Sequence, residues 1–246
     1  MKKLNLNNVS LVAVTTNDDE EATIKALNYS SKDIDFKKKI LFTDKTNFKQ
    51  EDIEFQIINK LPNVSEWGKF IVFDLYKYIQ TDYIILIHSD GFIVNAESWN
   101  NDFLKYDFIG APWRIPRDNF SYRDKNGSLV RVGNSVSLRS KKLLEMPKKI
   151  GLKWENFDRG FEHEDGFICV QNRLDLIKNG IMFPPIDIAC KFGREYDLPE
   201  HKNLKPFSFH KWHGPNKFYP CFDRHNIRLK LINKIFKKIL RFFQIV

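Results

Sequence analysis

Short apolar runs alternating with stretches of helical periodicity leave this chain few folds to choose from. Val9-Ser10-Leu11-Val12-Ala13-Val14 reads as a buried strand that ends in Thr15-Thr16-Asn17-Asp18. The acidic residues from Asp18 to Glu21 suit the first turn of a helix running to about Tyr29, because carboxylates are favoured at the positive end of the helix dipole. Ile40-Leu41-Phe42 is a second strand and Phe55 to Ile58 a weaker third. Ser65 caps a helix in which Trp67, Phe70, Ile71, Leu75 and Tyr78 fall near helical spacing. Tyr83-Ile84-Ile85-Leu86-Ile87 follows, a β-rich apolar run with no polar alternation, as expected of a strand covered on both faces. Strands and helices in this order argue for an α/β chain with a parallel, Rossmann-like sheet in its first half.

The second half is less regular. Val130 to Arg139 looks like two paired strands around a Gly133-Asn134 turn. Glu164 to Asn179 reads as one helix closed by Gly180. Ile181 to Ile188 contains Pro184-Pro185 and is expected as an edge or interrupted strand. There is no internal repeat and no low-complexity linker. The sequence divides into a main domain over 1–222 and a tail over 223–246. From Asn226 onward the tail has six Lys and Arg residues and no acid, with Ile227, Leu231, Ile235, Ile239, Phe242 and Phe243 at near-helical intervals. Such a basic amphipathic helix suits an anionic membrane surface, and its unbalanced charge favours that reading over packing on the domain.

At 246 residues, 42% of them hydrophobic, the chain is long enough for one sizeable core, and twenty-two phenylalanines must fill much of it. The net charge of +9 calls for an anionic partner: nucleic acid, an acidic membrane or a phosphorylated substrate. Three cysteines, far apart and in no CxxC spacing, speak against a disulfide scaffold or thiolate zinc and for a reducing cytoplasm. No signal-peptide pattern opens the sequence, and no stretch reaches the about 20 apolar residues that span a bilayer.

Four clusters carry candidate chemistry. In His88-Ser89-Asp90-Gly91 the fourth strand stops in a turn, with Gly91 expected to let the backbone turn sharply. Ligands in open α/β sheets bind just past the carboxyl ends of strands, so Asp90 is placed either to hold a cation against a phosphate or simply to stabilise a turn. Glu162-His163-Glu164-Asp165 is either an acidic helix start or the source of a general base that takes a proton from an attacking hydroxyl. Phe207-Ser208-Phe209-His210-Lys211-Trp212-His213 is either aromatic packing or a metal-ligating imidazole, with Lys211 near enough to neutralise a diphosphate. Gly110-Ala111-Pro112-Trp113 is either a packed turn or an indole platform for a sugar ring.

The order of these motifs is more specific than any one of them. His-Ser-Asp-Gly-Phe, then Trp99 and Phe103, Tyr-Asp-Phe-Ile-Gly-Ala-Pro-Trp, Val-Gly-Asn-Ser-Val-Ser-Leu-Arg-Ser, Glu-Asp-Gly-Phe-Ile-Cys and Phe-Ser-Phe-His resemble, over roughly residues 9–215, a bacterial and fungal family of GT-A-fold glycosyltransferases catalogued as a domain of unknown function. The resemblance implies a GT-A fold: a nucleotide-binding sheet flanked by helices, with a smaller acceptor-side subregion. It further implies that Val14 and Thr15 line the nucleotide pocket, that Asp44 meets the base or ribose, and that Lys69 approaches the nucleotide or its phosphates. Asp90 matches the last acid of the GT-A metal motif, and His88 stands where its first acid is usual. His210 matches a C-terminal histidine that completes the metal site. Asn134 and Ser135 fall in the loop that approaches donor sugar and acceptor, here one residue shorter and poorer in glycine than the family's usual pattern. Asp165 is the implied catalytic base, with Glu164 second.

The expectation is a glycosyltransferase using Mn²⁺ or Mg²⁺, inverting, with a UDP-sugar favoured as donor and a glycan or lipid-linked acceptor. The tail would hold it peripherally at the inner face of the cell membrane, in cell-surface polysaccharide synthesis. One rival is a metal-dependent phosphoesterase using Asp90, Asp165, His210 and His213, although two-metal sites need more closely spaced ligands than the sequence offers. The other is a non-catalytic membrane- or nucleic-acid-binding protein; no nucleic-acid motif is visible, and much of the positive charge lies in the tail.

Overall fold

The structure is a computed structural model that describes residues 3–155, 163–210, 220 and 222. In chain order its elements are β1 (Leu4–Val14), α1 (Glu20–Ser30), β2 (Ile34–Thr43), β3 (Glu54–Ile57), α2 (Val64–Phe73), β4 (Tyr83–Ile87), β5 (Phe108–Pro112), β6 (Val132–Ser140), α3 (Lys141–Lys149), α4 (Glu164–Gly166), α5 (Arg173–Lys178), α6 (Ile186–Phe192), β7 (Gly193–Arg194) and β8 (Ser208–Phe209). Six strands form one sheet in the order β3-β2-β1-β4-β6-β5, and β7 pairs with β8 in a second, two-stranded sheet. β1 to β4 are mutually parallel, while β6 runs antiparallel to both β4 and β5.

Side chains alternate across the sheet with period two, so each strand feeds two cores. Leu11, Ala13, Ile85 and Ile87 pack on one face with Leu27, Phe92, Phe103, Phe207 and Phe209. Val12, Val14, Ile40, Phe42, Ile84 and Leu86 pack on the other with Phe70, Ile71, Leu75 and Ile79. Both faces of β4 are therefore buried, which accounts for its unbroken apolar run. Register pairs Ala13 with Ile87. Val14-Thr15 and His88-Ser89 consequently leave the sheet side by side, and this positions the site.

Several elements differ from the sequence expectation. The first strand begins at Leu4 rather than Val9. Asn63, not Ser65, caps α2, its Oδ1 accepting from the Glu66 N–H at 2.9 Å; the Ser65 hydroxyl instead accepts from Trp154 Nε1 at 3.0 Å. Val132 to Ser140 is one strand and not a hairpin: Asn134 takes a left-handed φ of 95° inside it, and the β5–β6 register shifts between Gly110 and Pro112. A bulge can use the conformation that a Gly-Asn pair suggests for a turn. The helix expected over Glu164–Asn179 is broken: α4 runs into a π turn over Phe167–Gln171, and α5 starts only after Asn172. Gly180 does close it, with φ of 81°. Ile181 to Ile188 is not a strand. Pro185 sits at the N-cap of α6, where a missing N–H costs nothing.

Among the described residues no helix is long and apolar enough to cross a membrane. The tail over 223–246, with its expected amphipathic helix, lies outside the described residues.

Candidate active site

A cleft of about 1260 Å³ opens over the carboxyl ends of β1 and β4. On the sheet side it is lined by Val14, Thr15, Asp19, Trp67, His88 and Asp90, and across from them by Trp113, Asn134, Ser135, Glu164, Asp165, Glu195 and His210. The strand ends are tied to their surroundings by side chains. Trp67 Nε1 donates to the Val14 carbonyl at 2.9 Å. Asp19 stands at the N-cap position of α1 without capping it. Its carboxylate instead bridges two loops, accepting from the Thr15 hydroxyl and from Ser89 Oγ, the latter at 2.7 Å.

The His88–Gly91 turn is closed by its own backbone, His88 N donating to Gly91 O at 2.7 Å. Gly91 is not needed for a left-handed conformation, since it is absent from the glycines of positive φ. It is needed for space: a Cβ there would lie 2.7 Å from His210 Cδ2 and from Val136 Cγ2, and 2.9 Å from His210 Cα. β8 delivers His210 to this spot, and the His210 amide donates to Arg194 O at 2.9 Å. Asp90 Oδ1 and His210 Nε2 face each other at 3.9 Å, too far for a hydrogen bond. The His88 ring lies between Trp67 and His210, with centroids 5.4 and 5.3 Å away. Its Nε2 is buried and has no hydrogen-bond partner among the described residues. Burial pushes the His88 pKa down, against the pull of Asp90, so the ring is neutral and Nε2 can offer a lone pair. A carboxylate and imidazole nitrogens converging at a cleft fit a divalent cation. Among the described residues no three His, Cys, Asp or Glu side chains come together as a metal cluster.

The opposite wall rests on a buried ion pair. Arg139 of β6, fully buried, donates from Nη2 to Glu164 Oε1 at 2.8 Å and from Nε to Ser137 Oγ at 2.8 Å. Glu164 is only 1% exposed, so this carboxylate is occupied in holding the wall. The adjacent Asp165 is half-buried and lines the cleft. Desolvation, helped by the Glu164 charge, pushes its pKa up to about 7. A carboxyl titrating near neutrality is suited to exchanging a proton with a substrate hydroxyl. Asn134, 1% exposed, accepts at Oδ1 from Val136 N at 3.1 Å and donates from Nδ2 to Glu195 Oε2 at 2.7 Å. Trp113 is also nearly buried, stacked on Tyr122 at 4.6 Å and packed so closely on Gly133 that a Cβ added there would overlap the indole at 2.0 Å.

Of the residues singled out from the sequence, Val14, Thr15, His88, Asp90, Trp113, Asn134, Ser135, Glu164, Asp165 and His210 thus border one cleft. Asp44 and Lys69 do not line it; Lys69 pairs with Glu66 on its own helix at 2.7 Å. Lys211 and His213 lie outside the described residues. Sequence reasoning missed Asp19, Arg139 and Glu195. Asp19 was hidden in an acidic run that the helix dipole already explains. Arg139 did leave a signal, a charge inside a strand with apolar neighbours. Glu195 left none, because it follows a strand of two residues.

A search among curated proteins finds no match. Among solved structures, the chain is similar to the galactosyltransferase LgtC, crystallised in complex with donor and acceptor sugar analogues, at a TM-score of 0.50 and 10% identity, covering 86% of this chain and 92% of that one. A weaker likeness is to S. aureus TarS 1–349, with a TM-score of 0.37, 10% identity, and coverage of 63% of this chain and 52% of that one. The LgtC likeness and the six-stranded mixed sheet between helices identify the fold as GT-A. A family model matches residues 37–210, most of the chain, and the protein therefore belongs to the family described as Protein of unknown function (DUF5672).

Proposed function

We propose that this protein is a glycosyltransferase that moves a sugar from a nucleotide-sugar donor, a UDP-sugar first among them, to a hydroxyl of a glycan or lipid-linked acceptor. The observation that carries the reading is the cleft itself: at the carboxyl ends of two parallel strands it joins Asp90 and His210 to a carboxyl, Asp165, tuned to about pH 7. The nucleotide would lie against Val14, Thr15 and Trp67, its diphosphate toward Asp90. Asp90 and His210, with His88 beside them, are the residues that would hold Mn²⁺ or Mg²⁺. A bound divalent cation would supply charge neutralisation for the departing nucleoside diphosphate. Asp165 Oδ would take the acceptor hydroxyl's proton as that oxygen attacks the anomeric carbon, an arrangement that inverts the centre. Glu164, held by Arg139, keeps that wall in place and adds the negative field that raises Asp165.

Cell-surface polysaccharide synthesis at the inner membrane face, with 226–246 as the anchor, is the setting we propose from the basic tail. The test is a screen of UDP-, GDP-, dTDP- and CMP-sugars with and without Mn²⁺, followed by calorimetry and by release of nucleotide. Metal-dependent binding of at least one donor is expected; binding of none would sink the reading.

A further inference from the structure

We propose that a second recess, at the far end of the sheet from the catalytic cleft, binds an acidic carbohydrate chain, with a sugar ring against Trp99 and its anionic group on Lys191 and Lys205. This goes beyond the glycosyltransferase reading and does not depend on it. The place follows from β1. Val14, at one end of that strand, borders the cleft, while Leu4, at the other end, borders a cavity of about 580 Å³. The 11 residues of β1, rising about 3.3 Å each, hold the two sites roughly 30 Å apart. A molecule seated at Leu4 is therefore not the donor.

The floor of the recess is fixed. Trp99 packs against Phe103 and Phe207, with ring centroids 5.4 and 5.2 Å away. Phe207 is held from two sides: its amide donates to Lys191 O at 3.0 Å, and its carbonyl accepts from the Val94 and Asn95 amides at 3.0 and 3.2 Å. The Asn95 side chain adds a bond to Pro206 O at 2.6 Å. The segments that carry Trp99, Lys191 and Lys205 are thus tied together, and the recess is formed before any ligand arrives.

The chemistry of its rim is one-sided. Lys191 and Lys205 are exposed and form no ion pair among the described residues. No carboxylate among those residues lines the cavity. Asp102, the acid of the adjoining turn, is taken by Lys105 at 2.7 Å. Asn101 Oδ1 accepts from Trp99 Nε1 at 2.9 Å, and Asn100 Oδ1 accepts from the Asp102 amide at 2.9 Å. With those oxygens engaged, both carboxamides turn to the cavity as donors. Cations and donors without an acid select an anion, and a fixed indole beside them selects a ring with apolar faces. An acidic sugar unit offers both. A lipid headgroup or free phosphate would satisfy the lysines and leave the indole unused.

The experiment is calorimetry with trigalacturonate, beside uncharged maltotriose, inorganic phosphate and phosphatidylglycerol vesicles. Wild type is compared with Lys191→Gln/Lys205→Gln and with Lys25→Gln/Lys37→Gln, which removes the same charge from exposed lysines elsewhere. Trigalacturonate is expected to bind wild type and the Lys25/Lys37 variant alike, and the Lys191/Lys205 variant about tenfold more weakly. Maltotriose and phosphate should each bind wild type at least about tenfold more weakly than trigalacturonate. Trp99→Phe, which keeps a ring against Phe103 and Phe207, should abolish the change in indole fluorescence that trigalacturonate causes. No binding by wild type, or equal losses in the two lysine variants, overturns the site. Phosphate bound as tightly as trigalacturonate, or a fluorescence change that survives Trp99→Phe, overturns its carbohydrate character. Vesicle binding that falls in the Lys191/Lys205 variant while trigalacturonate binding does not would make the recess a membrane contact, and also overturns it. No donor is present in these titrations, so a failed donor screen leaves this inference standing, and its own failure leaves the glycosyltransferase reading untouched.

Discussion

Val14 and His88 reach the cleft at the ends of β1 and β4, whose register is set by a ladder of backbone bonds and whose side chains are buried on both faces. Glu164 and Asp165 reach it from a three-residue helical turn that breaks into a π turn, and their wall depends on Arg139 and on the Asn134–Glu195 bond. The first side is built from many equivalent backbone contacts, so no single side chain carries it. The second is built from a few side chains, each irreplaceable by its neighbours. A parallel sheet can present a nucleotide site in this way with almost any sequence of apolar residues. The opposite wall is concentrated in individual residues, where a single change is costly.

The sharpest break in this comparison is Arg139→Met. It leaves Glu164 buried and unpaired, and a loss of about 3–5 kcal/mol is expected by urea unfolding. Arg139→Met with Glu164→Leu should recover most of it, since a hydrophobic pair of similar volume replaces a buried ion pair at little cost. A loss below about 1 kcal/mol for the single change would mean the acceptor wall does not hang on this pair.

Next in size is Asp165→Asn. Transfer should fall by about 10²–10⁴-fold while nucleotide binding stays intact. In the wild type the rate should climb as pH rises through about 7, the point at which Asp165 loses its proton; in the variant that step should vanish, and a persistent step would remove Asp165 as base. The stability has the opposite sign. A carboxyl raised from 3.8 to about 7 keeps its proton in the folded state where the unfolded chain has lost it, so folding weakens as pH rises across that window. Asp165→Asn should flatten the decline in melting temperature over the same range.

The smallest effect is expected on the sheet side. Trp67→Phe keeps an aromatic ring, though a smaller one, and loses the bond to the Val14 carbonyl, the bond alone being worth about 1 kcal/mol and a shift of about 2–4 °C in melting temperature. A shift as large as that of Arg139→Met would erase the contrast between the two sides.

The same contrast explains what could be read in advance. β4 was legible to the residue because five apolar β-formers in a row have little choice but a doubly covered strand. α6 was not, because Pro184-Pro185 forbids a strand interior and equally permits a helix start, and only tertiary packing chooses. β6 was misread since Gly133-Asn134 supplies the same positive φ to a turn and to a bulge. Asp90, Asp165 and His210, which border one cleft, were singled out by motif order and not by any local pattern. Arg139 and Glu195 act through partners 25 and 61 positions away, Glu164 and Asn134, and spacing in sequence carries no trace of such pairs.

Gly91 leaves a mark on how such chains can diverge. Its missing Cβ is the room that His210 and Val136 occupy, so three positions scattered over the sequence share one volume. A substitution at 91 is survivable only with a shrinking at 136 and a shifted backbone at 210, and the last of these would move the imidazole away from Asp90. Even alanine at 91 therefore reaches beyond its own position, coupling the His88–Gly91 turn to the placement of the His210 imidazole.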